Sequence, residues 1–474
     1  MIGKMPDDLQ AHWESFRKRF TTRTHDTSEH AYDYIYGMLT MDKERCFAGI
    51  SQRVRGEDGQ SLQHFMSESP WQGQAVFQTI QDEVCQTATL AKGSYLVLDE
   101  SADEKAGAKS AGVSRQYNGH LGKVDLCQVA VLLGYVNWQS GPWTSWAWLD
   151  GELFLPEEWF SPEFAQQRKK LGIPESLAFK TKLELGLEMI RRLKKRGVPF
   201  EGVTCDELYG RDAQFRADLD QEQVIYAAFV PLNQHIYLHQ PRIGIPEKAP
   251  GKKGKPYTRE RVLNGELSIP VGAIASDPKT KWQVIRVRQN ERGVLEDHFT
   301  AQRVWTWQAG QTSPRQEWLI VRIDQNNEYT YALSNAPASA SLEQLACLIC
   351  SRYFVERSIQ DAKDECGWDE FQAQKYNAWS HHIALTACAL WFIAKEKLKW
   401  GAECGRDPEL IHQLEVQVLP ALSTANVRDL LKAVLPLPEL SVEEARRHIV
   451  DHLVNRSRSK ASRLRHRAKA LAQT

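Results

Sequence analysis

The chain carries no net charge, since 60 Lys and Arg balance 60 Asp and Glu, so overall charge selects no class of partner. Its nine cysteines are scattered, without the dense spacing of a disulfide-stapled secreted scaffold, which fits a reducing compartment. Long hydrophobic runs are lacking: the longest, residues 383–394, is too short to span a bilayer and is flanked by charge. The opening segment MIGKMPDDLQAHWESF has no apolar h-region, so no signal peptide is expected. No internal repeat is evident. These absences predict a soluble, cytoplasmic protein with no membrane partner, and its 474 residues predict two or three domains.

What the chain does have is uneven charge. From Arg456 to Lys469 there are seven Lys or Arg and no acid, and seven more lie between Arg242 and Arg261 against Glu247 and Glu260. Such blocks are commonly solvated, yet they are also what a phosphate backbone selects. Cys347 and Cys350 form a C-x-x-C with His381 and His382 some thirty residues on, a spacing open to zinc. The helical apolar spacing of LEQLACLICSRYFVE makes both thiols core residues instead.

Along the chain, residues 1–88 read as short helices punctuated by Gly56, Gly59 and Pro70. Their basic residues (Arg17, Lys18, Arg19, Arg45, Arg53, Arg55) suit either DNA binding or plain structure. From Gly93 the texture changes to strands, SYLVLDES, LCQVAVLLGYV and WTSWAWLDGELFL. An amphipathic helix, KTKLELGLEMIRRLKKRG, follows, and then strands in FEGVTCDELYG and QVIYAAFVPL, which together give α/β texture. Residues 236–337 read as a β-rich insertion with a basic loop (Lys248, Lys252, Lys253, Lys255, Arg259, Arg261), and helices return from Ser341 to the end.

Three acids stand out. Asp99 and Asp206 each end an apolar strand, where ligands of α/β sheets gather. Strand alternation puts Glu100 and Glu207 on the opposite faces from their neighbours, so one carboxylate of each pair is expected at a common site. In SRYFVERSIQDAKDECG, read as one helix, Arg352 and Lys363 fall within about 40° and 20° of Glu356. An i,i+4 ion pair would explain such a triple, but three hard oxygen ligands also suit Mg²⁺ or Mn²⁺.

On the segments LVLDESADEKAGAKSAGVSRQYNGHLGKVDLCQVAV, VTCDELYG and SRYFVERSIQDAK, the chain resembles the DDE transposases of bacterial insertion sequences, in the branch with a β-strand insertion before the final Glu. The resemblance runs over about residues 30–400. It implies an α/β fold with an RNase H-like catalytic core (89–235 and 338–400) and a β-rich inserted subdomain (236–337). A helical N-terminal DNA-binding domain (1–88) and a helical C-terminal region with a basic tail and a possible role in dimerisation (401–474) would flank that core. It implies Asp99, Asp206 and Glu356 as catalytic and metal-binding acids, with two Mg²⁺ ions per site for which Mn²⁺ can substitute. Of the Y-x2-R-x3-E-x6-K signature the chain carries Arg352, Glu356 and Lys363; the signature Tyr falls on Ile349, which has no hydroxyl to offer a phosphate. Tyr329, Tyr331, Trp305 and Trp307 of the insertion could stack on a displaced base or pack across strands. Arg352, Lys363, Lys105, Lys109, Arg115, Lys123, Lys252, Lys253, Lys255 and Arg259 are the implied DNA contacts. The partners implied are double-stranded DNA, as transposon ends and target, and a second copy in a homodimer; the place of action is the bacterial cytosol at the nucleoid. The rival readings are an RNase H-like nuclease without strand transfer and a catalytically silent, domesticated DNA-binding protein.

Overall fold

The structure is a computed structural model and describes residues 2–21, 24–119, 121–137, 144–247, 257–290, 293–403 and 421–437, with isolated positions elsewhere. Five helices come first: α1 (Met5–Phe16), α2 (Ser28–Thr40), α3 (Phe47–Arg55), α4 (Gln60–Ser67) and α5 (Gly73–Gln86). Strands β1 (Ser94–Glu104), β2 (Ser114–Asn118), β3 (Lys123–Asn137) and β4 (Ser145–Phe154) follow, then α6 (Ala165–Leu171) and α7 (Lys182–Lys195). Next come β5 (Gly202–Cys205), α8 (Glu207–Gly210), α9 (Ala213–Gln221) and β6 (Tyr226–Val230).

The insertion begins with the short strands β7 (His235–Ile236), β8 (Ile243–Gly244), β9 (Arg261–Val262) and β10 (Ile269–Pro270) and with α10 (Gly272–Ser276). It continues as a meander, β11 (Gln283–Asn290), β12 (Gly293–Thr306), β13 (Arg315–Ile323) and β14 (Tyr329–Ser334). Helices α11 (Leu342–Cys350), α12 (Tyr353–Cys366) and α13 (Tyr376–Glu403) precede a further helix, Thr424–Val434.

One ten-stranded, mostly antiparallel sheet carries the fold, in the order β11-β12-β13-β14-β6-β5-β1-β3-β2, with β4 also on β3. Only β1–β5 and β5–β6 pair in parallel. The long β3 serves two partners on one edge: β2 along residues 123–127 and β4 along 129–137. The predicted insertion is therefore not a separate sheet, because β14 joins β6 edge to edge.

Helix α7 starts at a capping box, in which Thr181 accepts from the Glu184 N–H and Glu184 reaches back to the Thr181 N–H. It packs on the even-numbered face of β1 at close range: a Cβ at Gly186 would stand 2.6 Å from Leu98. Helix α12 covers the other face, where Phe354 and Val355 pack with Val97 and Val136. The N-terminal helices are not an independent globule either, since Tyr34, Phe65 and Val76 share one core with Leu132, Trp148 and the apolar run of α13. That run is thus a buried helix side, and no helix among the described residues is long and apolar enough to cross a membrane. Cys350 is buried, and His381 and His382 bond to the backbone of Met66, Trp71 and Trp368, as core residues do.

Two local expectations are corrected. In FEGVTCDELYG only Gly202–Cys205 is strand, because Asp206 caps a helix: its Oδ1 accepts from the N–H groups of Leu208 (2.9 Å) and Tyr209 (3.4 Å). The stretch read as one helix from 351 is broken at Ser351–Arg352, where the Ser351 hydroxyl returns to the Leu348 carbonyl at 2.7 Å, and α12 starts only at Tyr353.

Candidate active site

Strand pairing decides where the acids meet. β1 and β5 are in register from Tyr95–Gly202 to Leu98–Cys205, and there β5 stops. Asp99 and Glu100 therefore lie just beyond the paired stretch, level with the turn that Asp206 opens. With no strand between the two faces at that point, carboxylate oxygens of Asp99, Glu100 and Asp206 come within 4.8 Å of one another. The alternation itself holds, with Asp99 bonded to Arg352 on the α12 side and Glu100 to Lys182 on the α7 side, but at the edge where β5 has ended it does not keep Glu100 out of the cluster, contrary to expectation.

The turn carrying Asp206 is held tightly. A Cβ on Gly210, at the end of α8, would stand 1.8 Å from the Phe229 carbonyl oxygen, so only glycine lets α8 lie against β6. Arg216 adds a bond to the Gly210 carbonyl and an ion pair, 3.1 Å, with Glu317 of β13.

Two cations serve the acids. Arg352 donates to Asp99 at 3.1 Å and to Glu356 at 2.5 Å, bridging β1 to α12, and its guanidinium lies 5.5 Å from the Phe229 ring. Lys182 donates to Glu100 at 3.1 Å from the α7 side. Asp99 is buried while the Glu356 side chain is 61% exposed, so Glu356 stands at the rim and reaches the cluster through Arg352. Burial and the neighbouring Asp206 and Glu100 charges outweigh Arg352 and push the Asp99 carboxyl up to about 7. Burial also raises Glu100, with Lys182 opposing and Asp206 reinforcing the rise. Glu100 Oε2 and the Tyr209 hydroxyl are buried with no well-formed hydrogen bond. An under-neutralised set of hard oxygens with orphaned polar atoms among them fits a divalent cation of the Mg²⁺ class. It is the only metal-compatible acidic, histidine or cysteine group among the described residues.

The other expected contacts are scattered around this centre. Lys363 leaves the face of Glu356 for the Trp368 ring, 5.9 Å away. Lys105 is half-buried, paired with Asp103 and bonded to the Phe371 carbonyl at 3.2 Å. Lys109, Arg115 and Lys123 are exposed along β1–β3, with Lys123 2.9 Å from Asp125. Lys255 and Arg259 are exposed, whereas Lys248, Lys252, Lys253 and most of the basic tail lie outside the described residues. Of the N-terminal cations, Arg45 is buried against Glu370, and Arg55 pairs with Asp33. Tyr329 and Tyr331 stack on each other, 6.5 Å between centroids, and Trp305 bridges to Tyr237. Ile349, at the signature Tyr position, is buried in the core under the insertion.

The sequence itself has counterparts among known proteins. The family model described as DDE superfamily endonuclease matches residues 15–294, a stretch that takes in Asp99, Glu100 and Asp206 and ends before Glu356. The chain is also 24% identical over 352 residues to the "Probable transposase for insertion sequence element IS701" of Microchaete diplosiphon, covering 73% of this chain and 77% of that protein. The resemblance to insertion-sequence DDE transposases is thereby borne out, and with more than half of its length matched, the chain belongs to the DDE superfamily of endonucleases.

Proposed function

We propose that this protein is the DNA transposase of an insertion sequence, working by cut-and-paste DDE chemistry on an RNase H-like core. The observation that carries the reading is the meeting of Asp99, Glu100 and Asp206 at the end of two parallel strands, with Arg352 linking Asp99 to Glu356 at the rim. An antiparallel run β4-β3-β1 continued by parallel β5 and β6 supports the RNase H-like core of residues 89–235 and 338–400. Fold alone does not set the chemistry; the placement of the acids is what supports this reading.

Asp99, Asp206 and Glu356 are the residues to hold two Mg²⁺ ions, or Mn²⁺ in their place, which when bound supply activation of an attacking oxygen and stabilisation of a leaving one. Asp206 commits only Oδ1 to its helix cap, so Oδ2 remains outside the cap. Arg352, bonded to Glu356, and Lys363, beside the Trp368 ring further along α12, are the cations to hold the phosphates of a bound DNA strand. Water attacks the phosphorus at the element's end, the bond to the 3′-oxygen breaks and a 3′-hydroxyl is released. That hydroxyl then attacks either the opposite strand, as a hairpin, or a target phosphodiester. The partners are the duplex ends and target, gripped by helices 1–88 and by the insertion 236–337. A homodimer, with residues 401–474 available for its contact, would bring two ends together in the bacterial cytosol.

A supercoiled plasmid carrying the element's ends tests this. The wild type in Mg²⁺ should yield excised and joined products, and Asp99→Ala, Asp206→Ala and Glu356→Ala should each abolish cleavage while still binding the ends. Cleavage without joined products would make the protein a nuclease, and binding without cleavage a silent DNA-binding protein.

A further inference from the structure

Glu100 has no part in a three-acid scheme, yet the structure does not treat it as a bystander. We propose that Glu100 is a further ligand of the divalent-cation site, with the Tyr209 hydroxyl as its hydrogen-bond donor and Lys182 as the counter-ion that the cation displaces. The inference rests on the metal-dependent reading given above.

Four observations converge. Glu100 shares the 4.8 Å cluster with Asp99 and Asp206, although a carboxylate placed only to pair with α7 would gain nothing from standing beside two like charges. Its Oε1 takes the Lys182 ammonium at 3.1 Å, but Oε2 is buried with no well-formed hydrogen bond, the Tyr209 hydroxyl being the nearby group that could give it one, an arrangement that needs a further partner to be worth its desolvation. Tyr209, wholly buried on α8, brings a second unpartnered polar atom to the same place: its hydroxyl feels the charges of Glu100, Asp206 and Asp99 and bonds well to none. Lastly, the charges do not close. Four carboxylates, Asp99, Glu100, Asp206 and Glu356, face two cations, Arg352 and Lys182, so the acids outnumber the cations that serve them.

The ordinary alternative is an ion pair tying β1 to α7. Lys182 also lies 5.6 Å from the Phe154 ring, so that pairing has some support of its own. The two accounts differ in what Mn²⁺ does in the absence of DNA. Free Mn²⁺ can be followed by electron paramagnetic resonance during titration of the full chain, with the melting temperature of each variant recorded with and without the ion. Glu100→Gln, which keeps shape and a hydrogen-bond acceptor for Lys182, should weaken Mn²⁺ binding by roughly 10- to 100-fold, the loss typical of altered metal-site partners. Its metal-free melting temperature should match the wild type, and the Mn²⁺-induced rise should shrink. Lys182→Met removes the competing cation and should tighten Mn²⁺ binding. Asp99→Asn is the control that should lose the ion.

Wild-type affinity in Glu100→Gln beside loss in Asp99→Asn would sink the proposal and leave Glu100 as a structural partner of Lys182. Unchanged or weaker binding in Lys182→Met would do the same, independently of whether Glu100→Gln folds. If the wild type itself takes up no Mn²⁺, the metal-dependent reading falls and takes this inference with it.

Discussion

Two buried carboxylate sites stand some residues apart in this protein and are built on opposite principles. At the seam between core and insertion, Glu317 of β13 receives Arg216 at 3.1 Å, the Tyr226 hydroxyl at 2.5 Å and the Thr306 hydroxyl, so both its oxygens are used. Burial alone would raise its carboxyl, but Arg216, Arg315 and the two hydroxyls outweigh it and hold Glu317 below the usual range. At the end of β1 and β5 the balance runs the other way: Asp99 and Glu100 are raised, and two polar atoms make no well-formed hydrogen bond. The first site is complete as folded, and the second keeps its acids crowded and under-neutralised. Burial of charge is common to both, so it is the state of satisfaction that separates the structural joint from the candidate site.

The sharpest way to test that contrast is to break the joint. Glu317→Ala strands Arg216 as an uncompensated buried charge and should cost about 3–5 kcal/mol of stability, measured by urea unfolding. Asp99→Asn, by removing one of several crowded acids, should cost far less and can raise the melting temperature. The pH dependence has a defined sign: with its folded value depressed, Glu317 contributes stability that is present above the unfolded glutamate value of about 4.3 and is lost as pH falls through the folded one. Glu317→Gln should remove that part of the acid limb of the stability curve. Equal losses from Glu317→Ala and Asp99→Asn would erase the distinction between the two sites.

The same contrast explains what the sequence could and could not say. Asp99 and Asp206 were legible because each ends a short apolar run, a local pattern. Glu100 was not, because its inclusion depends on where β5 stops opposite Leu98, more than a hundred residues along the chain. The strands of the insertion were legible from their alternation, but their fusion to the main sheet through Tyr331–Val230 pairing was not, since edge pairing leaves no local mark. Residues 351–367 read as one helix from its first residue because nothing at Ser351–Arg352 is a recognised breaker; the turn there carries a side-chain bond to the backbone. Similarly, the N-terminal cations were open between DNA and structure, and Arg45 and Arg55 prove to have carboxylate partners.

A smaller effect is expected at the bridge between Asp99 and Glu356 in the candidate site. Arg352 spans Asp99 and Glu356 with separate nitrogens, a span that a lysine's single ammonium does not reproduce. Arg352→Lys should slow end cleavage by roughly 10- to 100-fold, the equivalent of a charge-assisted hydrogen bond of about 1.5–3 kcal/mol. The fold should be largely kept, because Phe229 and the β1–α12 packing remain. Cleavage at the wild-type rate would reduce the bridge to an incidental ion pair.

The smallest effect belongs to Lys363, and it is the one that decides how the signature helix is used. Its ammonium lies 5.9 Å from the Trp368 ring, not against Glu356, and a half-exposed contact of that kind is worth about 0.5–1 kcal/mol. Stability is therefore a poor reason for a cation at this position, and a phosphate is a better one. If Lys363 holds a phosphate, Lys363→Ala should weaken binding of the element's end, measured by fluorescence anisotropy at several salt concentrations, and lower the salt dependence by about one unit of slope. Its melting temperature should fall by no more than a few degrees, the shift that up to about 1 kcal/mol produces in a domain of ordinary size. A lowered melting temperature with an unchanged salt slope would assign Lys363 to the Trp368 contact, and would leave Arg352 as the phosphate-binding neighbour of Glu356 on this helix.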